Sequence, residues 1–439
     1  MTQDNKNIQN DQYYVFPKNF LWGAATSSHQ VEGDNIYNDW WEWEQAGKVK
    51  EQSGKACEHW KRFPEDFKLA RSLHHNTHRF SIEWSRIEPR EGEFSEEAIS
   101  HYREVIQSLR SNGLEPIITL HHFTLPLWLT KEGGWLSNRA PQLFGRYARK
   151  MAETIGEGIC YWMTLNEPEV YIFKSYLTGE WPPGEIAPEK VYRVANHLLK
   201  AHVCAYDAIQ DTFRKLNRAA TQIGIAKHVA IFTPCSDGSF WDRISVWLRD
   251  LMFNHLFIKA LIKGRIFYPG FFRIRLSRMK TLDFIGLNYY TRDFVSNSGL
   301  RVPGVFGDVC TSKHHSNIGK KNFLSWEIYP KGLFLLVKDF SKYKLPILIS
   351  ENGICTDRDE ERWEFIHNHL KELAKAIEWG APVIGYLYWS LLDNFEWAEG
   401  FAPRFGIIEV DYATQARKVR PSGKAYAQVC KTGLLPKED

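Results

Sequence analysis

The sequence predicts a single (β/α)8 barrel of the TIM type, and three observations support that fold class. Eight apolar, strand-like segments alternate along the chain with about eight amphipathic, helix-like segments. The strand candidates are rich in β-branched and aromatic residues and lack strict alternation, which is typical of parallel strands buried on both faces. Polar residues gather at the carboxyl ends of several strand candidates, which is where the active site of such a barrel lies.

The strand candidates occur in the order that a barrel requires. They cover residues 20–28, 77–84, 116–123, 159–167, 223–230, 282–290, 346–353 and 383–392. The competing architecture is a doubly wound open sheet, which usually carries a glycine-rich phosphate loop after its first strand. No such loop follows the first strand candidate here, so the barrel is favoured.

Helical periodicity between these strands predicts eight helices. They cover residues 64–73, 95–109, 141–155, 191–209, 244–261, 331–340, 362–379 and 421–429. The second of them begins with SEEA at Ser95, a serine cap followed by acidic side chains in the first turn. It ends near Gly113, because glycine readily terminates a helix.

Composition and charge indicate a globular chain. Of its 439 residues, 44% are hydrophobic and 25% are charged, which excludes a disordered chain. The 56 basic and 52 acidic residues give a formal net charge of +4, so we expect no nucleic-acid partner. No run of 18 uncharged apolar residues occurs, so we expect no membrane partner either. Nothing in the sequence specifies an oligomeric state.

The seven cysteines are odd in number and form no CxxC pair. This pattern argues against a disulfide framework or a zinc site and favours reduced thiols. His314 and His315 lie in a polar segment and are predicted to be solvated. We therefore expect no metal and no organic cofactor. The polar N-terminal segment lacks the apolar core of a signal peptide, so we also expect a cytoplasmic protein.

Two carboxylates at strand ends suggest the chemistry. Glu167 ends the fourth strand candidate within TLNEP, and Glu351 ends the seventh within ISENG. Those strands lie nearly opposite each other in an eight-stranded barrel, so the two side chains are predicted to face one another. Facing carboxylates cleave glycosidic bonds, because one protonates the departing oxygen while the other attacks or activates water. The competing interpretation is that Glu167 caps the next helix and Glu351 starts a turn.

Eight sequence blocks resemble glycoside hydrolase family 1, the family of β-glucosidases and β-glycosidases. In chain order they are LWGAATSSHQVEG, HRFSIEWSRI, TLHHFTLP, TLNEP, DFIGLNYYT, WEIYP, ISENG and WSLLDNFEWAEGFAPRFGI. The resemblance covers essentially the whole chain after the first dozen residues. We therefore predict a flexible tail over residues 1–12 and one catalytic (β/α)8 domain over residues 13–439.

The resemblance implies a retaining mechanism with Glu167 as general acid/base and Glu351 as nucleophile. Residues that match the family's sugar site are Gln30, His122, Asn166, Trp389, Glu396 and Trp397. Residues that match the surroundings of the nucleophile are Arg79, Asn288 and Tyr290, and an aromatic at the aglycone entrance is matched by Trp326. An arginine beside Glu351 is expected to lower the pKa of that carboxyl, whereas Glu167 keeps its proton longer.

These observations predict a β-glycosidase, most of all a β-glucosidase, with a β-glycoside or oligosaccharide as its partner. An acidic residue at position 396 matches the members of the family that act on neutral sugars, since a carboxylate there would repel a sugar phosphate. Phe123 stands where the family usually has tryptophan, which leaves the sugar preference open. The alternatives are a transglycosylating enzyme of galactosidase or fucosidase type, or a sugar-binding barrel without catalysis.

Overall fold

Eight parallel strands close into a barrel in the computed structural model, which describes residues 12–268, 272–297, 308–310, 315 and 318–437. The strands are β1 (Leu21–Ala25), β2 (Thr77–Ser81), β3 (Glu115–His121), β4 (Tyr161–Asn166), β5 (Gln222–Pro234), β6 (Ile285–Ser296), β7 (Ile347–Asn352) and β8 (Val383–Trp389). Each strand pairs in parallel with the next, and β8 pairs with β1 to close the ring. The predicted fold class is confirmed.

Eight helical segments surround the barrel, one in each predicted position. They are α1 (His59–Ser72), α2 (Glu96–Ser111), α3 (Ala140–Ile155), α4 (Pro188–Lys215), α5 (Phe240–Arg249, π-helical Asp250–His255 and Leu256–Lys263), α6 (Lys331–Phe340), α7 (Asp359–Glu378) and α8 (Pro421–Thr432). The predicted cap of α2 is confirmed, because the Ser95 side chain accepts a hydrogen bond from the Ala98 amide.

An apolar layer fills the interior of the barrel. Strands or their immediate flanks contribute six fully buried side chains to it, namely Ile117, Met163, Ala226, Phe284, Leu348 and Leu387. Inward-pointing apolar side chains make the centre of such a barrel a packed core rather than a pore. This layer supports the polar residues that follow at the carboxyl ends of the strands.

Two strands extend beyond their predicted ends. The β5 strand continues past residue 230 and β6 past residue 290, and residues 231–234 pair in parallel with residues 292–295. The short strand Asp308–Val309 pairs antiparallel with the same end of β6. The extension mixes polar and apolar residues, and most of them are half-buried. The apolar runs in the sequence therefore end near residues 230 and 290, whereas the backbone pairing continues beyond them.

Shorter elements lie at the ends of the barrel. The remaining strands are Tyr13–Val15, Arg265–Tyr268, Phe272–Arg275, Ile408–Val410, Arg417–Val419 and Leu434–Pro436. The remaining helical segments are Ser28–Val31, Asp39–Gln45, Trp84–Ile87, Leu127–Lys131, Gly134–Leu136, Pro168–Ile172, Phe173–Leu177, Ser341–Tyr343 and Trp397–Glu399. Residues 1–11 of the predicted tail lie outside the described residues. Within the described ranges, no helix combines the length and apolar character needed to cross a membrane.

Candidate active site

A cavity of about 240 Å³ opens at the carboxyl ends of the barrel strands. Ten of the twelve side chains that the sequence proposes as site residues line it, namely Gln30, His122, Asn166, Glu167, Tyr290, Trp326, Glu351, Trp389, Glu396 and Trp397. The other two are fully buried and bond to members of this set, as described below. The fold therefore brings together residues that are up to about 370 positions apart in the chain, from Gln30 to Trp397.

Glu351 is held at the end of β7 by two donors. Nη1 of Arg79 lies 2.5 Å from its Oε1. The hydroxyl of Tyr290 donates to its Oε2 at 2.6 Å. With both oxygens bonded, the carboxylate has a fixed orientation toward the cavity that it lines.

Glu167 lies directly after β4, where the helix Pro168–Ile172 begins. Its φ of 44° is left-handed, which costs a non-glycine residue on the order of 1 kcal/mol or more. Its side chain makes no capping hydrogen bond, so the capping interpretation is wrong. Instead, its Oε1 accepts a hydrogen bond from Nδ2 of Asn288 at 2.9 Å and lies 3.0 Å from Nδ1 of His228.

A chain of buried hydrogen bonds connects the two carboxylates. Nη2 of Arg79 donates to Oδ1 of Asn166 at 2.7 Å, and Nδ2 of Asn288 donates to the same oxygen at 3.1 Å. Ser350 fixes Asn288 from the other side, donating to its Oδ1 at 2.6 Å. Arg79 therefore bonds Glu351 directly and reaches Glu167 through two amide side chains, so that the network fixes the relative positions of the pair.

The two carboxylates influence each other's protonation. Burial raises the pKa of Glu351 to about 7, the Arg79 charge opposes that rise, and the Glu167 charge adds to it. The pKa of Glu167 is lowered, because the charge of His228 and hydrogen bonds from His228 and Asn288 outweigh burial. Both halves of the expectation are therefore wrong: burial outweighs Arg79 and raises the pKa of Glu351, and the pKa of Glu167, which was expected to keep its proton longer, is the one that is lowered. Because each charge acts on the other group, the pair shares one proton up to about pH 7, and these directions place it more often on Glu351 than on Glu167.

Gln30 and Glu396 supply hydroxyl-binding groups in this cavity. Nε2 of Gln30 donates to the Phe395 carbonyl at 2.8 Å and lies 3.2 Å from Oε2 of Glu396. Burial, followed by the charges of Glu351 and Glu167, raises the pKa of Glu396 to about 8. Three of the acidic side chains that line this cavity, Glu167, Glu351 and Glu396, thus act on one another, since each makes ionisation of the others less favourable.

Aromatic rings form the walls around His122. Its ring lies parallel to Trp389, with centroids 6.0 Å apart, and parallel to Trp397 at 6.2 Å. Nε2 of His122 pairs with Nδ2 of Asn166 at 3.2 Å, whereas its Nδ1 has no hydrogen-bond partner among the described residues. Burial holds the pKa of His122 well below its usual range, so the imidazole is neutral at pH 7.

His228 is a site residue that the sequence reasoning missed. It lies on β5, and its ring stacks at 5.8 Å on Tyr290, the same tyrosine that bonds Glu351. Its neighbour Lys227 is buried and pairs with Glu169 at 3.2 Å. The available signal was the pair of basic residues inside an otherwise apolar strand, since such groups are rarely buried without a partner.

A second, mostly apolar cavity of about 360 Å³ adjoins the first. The two cavities share the residues Val170, Lys174, His228, Tyr290 and Trp326. Apolar side chains from α5 and from the segment after β4 form much of the new surface, namely Ile172, Phe173, Leu177, Met252, Phe253, Leu256 and Phe257. The site thus consists of a polar compartment that contains both carboxylates and an apolar compartment beside it.

Comparison with known proteins matches this chain to one family. The sequence profile of Glycosyl hydrolase family 1 matches residues 12–434. Beta-glucosidase A of Thermotoga maritima is 32% identical over 454 aligned residues, which cover 96% of this chain and 98% of that protein. A beta-galactosidase of Pyrococcus woesei is 31% identical and covers 92% of this chain and 94% of its own length.

Solved structures agree with the sequence comparison. A beta-glycosidase from Pyrococcus horikoshii superimposes with a TM-score of 0.90 at 42% identity, covering 97% of each chain. The beta-glucosidase from Thermotoga maritima in complex with glucoimidazole superimposes with a TM-score of 0.87 at 31% identity, covering 96% of this chain and 99% of that one. The profile match, the relatives and the structures all span nearly the full length, and the chain therefore belongs to glycosyl hydrolase family 1 and is a glycoside hydrolase.

Proposed function

We propose that the protein is a retaining β-glycosidase whose main substrates are terminal, non-reducing β-D-glucosides. The observation that carries this proposal is that Glu351 and Glu167 line one cavity and are joined through Arg79, Asn166 and Asn288. Retention requires carboxylates about 5–5.5 Å apart, so that one of them bonds directly to the sugar. A short, rigid network is suited to holding that separation.

In the first step, an oxygen of Glu351 attacks the anomeric carbon of the sugar. The bond between that carbon and the glycosidic oxygen breaks at the same time. Glu167 donates its proton to that oxygen, so that the aglycone leaves as an alcohol. Arg79 and Tyr290 hold the attacking carboxylate in place. The products of this step are a covalent glycosyl-enzyme with inverted configuration and a deprotonated Glu167.

In the second step, a water molecule attacks the same carbon. Glu167 removes a proton from the water, the bond from the carbon to Glu351 breaks, and the second inversion restores the β configuration. His228 and Asn288 both lie at Oε1 of Glu167, and they hold the carboxyl where it acts first as an acid and then as a base. The reaction needs no cofactor.

The polar compartment is suited to the non-reducing sugar. We assign the sugar's hydroxyls to Gln30, His122, Asn166 and Glu396, with Trp389 as the flat surface on which the ring lies. Glu396 accepts from two adjacent hydroxyls. Trp397 closes the wall beside His122.

The apolar compartment supports a leaving group with an apolar part. Trp326 and Tyr290 line both cavities, so an aglycone that passes them enters a surface built from Phe173, Met252 and Phe253. Burying alkyl or aryl carbon there is favourable by about 0.8 kcal/mol for each methylene. We therefore propose alkyl or aryl β-glucosides as well-accepted substrates.

The proposal is tested by changing each carboxylate separately. Glu351→Gln and Glu167→Ala are each expected to lower kcat for nitrophenyl β-glucoside by at least about 10³-fold. A matched control is Glu399→Gln, because Glu399 also lines the cavity but its side chain is 44% exposed and pairs with Lys50 at the surface. Azide is expected to rescue Glu167→Ala and to give a β-glycosyl azide. Near wild-type turnover in either variant would overturn the assignment.

Two related functions remain as alternatives within the same site. Relatives named beta-glucosidase and beta-galactosidase support glucose-type and galactose-type preferences, and a panel of nitrophenyl glycosides separates them. Transfer to a sugar or alcohol instead of water is separated by product analysis with added acceptors. A cytoplasmic location is part of the proposal and is supported by the odd number of cysteines without a CxxC pair.

A further inference from the structure

Three side chains with metal-binding atoms meet at the extended end of β6. Nε2 of His315 lies 3.4 Å from Sγ of Cys235 and 3.3 Å from Sγ of Cys310. All three donor atoms lie within 4.8 Å of one another, and each residue is half-buried. We call this group the thiol–imidazole cluster. It lies apart from the two carboxylates, since neither cavity is lined by any of the three residues.

The backbone brings the two cysteines to β6 from opposite sides. The Cys235 amide, at the end of β5, donates to the Val295 carbonyl at 2.8 Å. The Cys310 amide, which follows the strand Asp308–Val309, donates to the Phe294 carbonyl at 2.7 Å. Neighbouring carbonyls on a strand point to opposite edges, so β6 lies between the two cysteines.

That arrangement argues against a disulfide. Two strand spacings place the Cys235 and Cys310 backbones about 9–10 Å apart. A disulfide tolerates a Cα separation of up to about 7 Å, so forming one requires the backbone to move. The two sulfur atoms nevertheless lie within 4.8 Å of each other, and no bond joins them.

The position of His315 completes this geometry. Its ring stacks on Phe294 with centroids 4.0 Å apart and planes at 19°, which aims Nε2 at both sulfurs. Sequence reasoning predicted a solvated residue here, whereas the structure has it half-buried against an aromatic ring. The other predicted solvated histidine, His314, lies outside the described residues.

We propose that Cys235, Cys310 and His315 bind a zinc ion. Two thiolates and one imidazole are a typical zinc ligand set, in which water supplies the fourth tetrahedral ligand. Zinc bond lengths of about 2.3 Å to sulfur and 2.0–2.1 Å to nitrogen place sulfur and nitrogen about 3.5 Å apart. The two sulfur–nitrogen distances in the cluster are within a few tenths of an ångström of that value. On binding, the ion replaces the two thiol protons, which are released to solvent.

The proposed ion has a structural consequence for the active site. Val309 precedes Cys310 and lines the apolar compartment. A zinc ion bound across β6 would tie this short strand to the end of β5 through metal–ligand bonds in addition to its backbone hydrogen bonds. At this position the ion would steady one wall of the compartment, and because its ligands line neither cavity it takes no part in hydrolysis.

The test uses the full-length protein, stripped of metal with a chelator under reducing conditions and then dialysed. Zinc is titrated in competition with a chromogenic chelator, and cobalt replaces zinc in a parallel spectroscopic titration. We expect one zinc per chain, about two protons released, and a thiolate-to-cobalt charge-transfer band. Zinc is also expected to raise the Tm, because it binds the folded state preferentially.

Matched variants separate this site from adventitious binding. Cys235→Ser, Cys310→Ser and His315→Gln are each expected to weaken zinc binding by about 100-fold or more, whereas Cys160→Ser, which alters an exposed thiol, leaves it unchanged. Wild-type zinc affinity in the double variant Cys235→Ser/Cys310→Ser, or a cobalt spectrum without thiolate bands, would overturn the proposal. So would a stable Cys235–Cys310 disulfide, found by mass analysis without reductant, that forms in preference to zinc binding.

Discussion

Arg79 and Glu351 form a buried ion pair at the base of the polar compartment, with Nη1 2.5 Å from Oε1 and side chains that are 1% and 4% exposed. The same guanidinium bonds Asn166, the neighbour of Glu167, through Nη2 at 2.7 Å. The planar guanidinium group of arginine has five N–H donors in fixed directions, so it can bond both partners at once. The single ammonium group of a lysine cannot bond two partners with the same fixed geometry. One arginine thus sets the position of the proposed nucleophile relative to the proposed acid.

Replacing Arg79 is therefore expected to reduce both activity and stability. Arg79→Met leaves a buried carboxylate without its partner and should lower the free energy of unfolding by about 3–5 kcal/mol. Arg79→Lys keeps the charge but not the fork, so kcat/KM for nitrophenyl β-glucoside should fall by about 10²-fold with a smaller loss of stability. Urea unfolding and initial rates measure the two effects. Equal kcat/KM in the lysine variant and wild type would contradict the proposed positioning role.

The pH dependence of hydrolysis follows from the coupled carboxylates. The reaction needs one proton on the pair and uses the less populated of the two singly protonated forms, in which Glu351 is ionised and Glu167 is protonated. Because the pKa of Glu351 is raised to about 7, the shared proton is lost as the pH rises past about 7, and kcat/KM should fall there. At low pH the second carboxyl also takes a proton and activity falls again, so the profile is bell-shaped. A profile that stays level from pH 6 to pH 9 would contradict this account.

Removing the Glu167 charge should shift the titration of its partner. In Glu167→Gln the pKa of Glu351 is expected to fall, because the negative charge that raises it is gone. Dinitrophenyl β-glucoside is the suitable substrate, since its leaving group departs without protonation. The acidic limb of its pH profile should move to lower pH than in Glu399→Gln, the exposed-carboxylate control. An unshifted limb would mean that the two carboxylates are not coupled.

Glu396 is expected to control the affinity for the non-reducing sugar. Glu396→Gln replaces one of the two oxygens with an amide nitrogen that cannot accept, which leaves a buried hydroxyl or donor unpaired at a cost of about 1–3 kcal/mol, so kcat/KM should fall by about 10- to 100-fold. Glucosides that lack one of the contacted hydroxyls are the check, because the variant should lose less with them than with the parent glucoside. Losses that are the same for all sugars would indicate a structural role instead.

The apolar compartment makes a prediction about the leaving group. Met252→Glu places a charge in its wall, so the ratio of kcat/KM for octyl over methyl β-glucoside should fall by about 10-fold. Met279→Glu is the matched control, because Met279 is 53% exposed and lies outside both cavities. If both variants keep the wild-type ratio, the apolar compartment does not bind the alkyl chain.

The sequence predicted the barrel well because its strands are apolar on both faces. All eight strands and eight surrounding helices are present, and Ser95 caps α2 as expected. The predicted strand ends were less accurate. β5 and β6 continue as a half-buried pair of strands beyond their apolar segments, and the sequence pattern does not reveal this continuation. The short rim helices, such as Ser28–Val31, were also absent from the prediction because four residues carry too little periodicity.

The candidate site was partly accessible from the sequence. Glu167, Glu351 and Glu396 follow from their positions at or after strand ends, but Arg79, Trp326 and Trp397 were identified as site residues only through the family resemblance. His228 was missed because the basic pair Lys227 and His228 in an apolar strand indicates that buried partners exist but does not say which residues they are. The thiol–imidazole cluster was missed for a similar reason, since Cys235 and Cys310 are 75 residues apart and motif spacing detects only nearby ligands.

The most direct test of the central proposal is to trap the glycosyl-enzyme with 2-deoxy-2-fluoro-β-glucosyl fluoride and to locate the attached sugar by peptide mass analysis. The account predicts one fluorosugar per chain, on Glu351 within the tryptic peptide 345–358. Glu351→Gln should remain unlabelled, whereas Glu399→Gln should label like the wild type. A sugar attached to any other residue, or turnover that releases the α-anomer without a covalent intermediate, would contradict it.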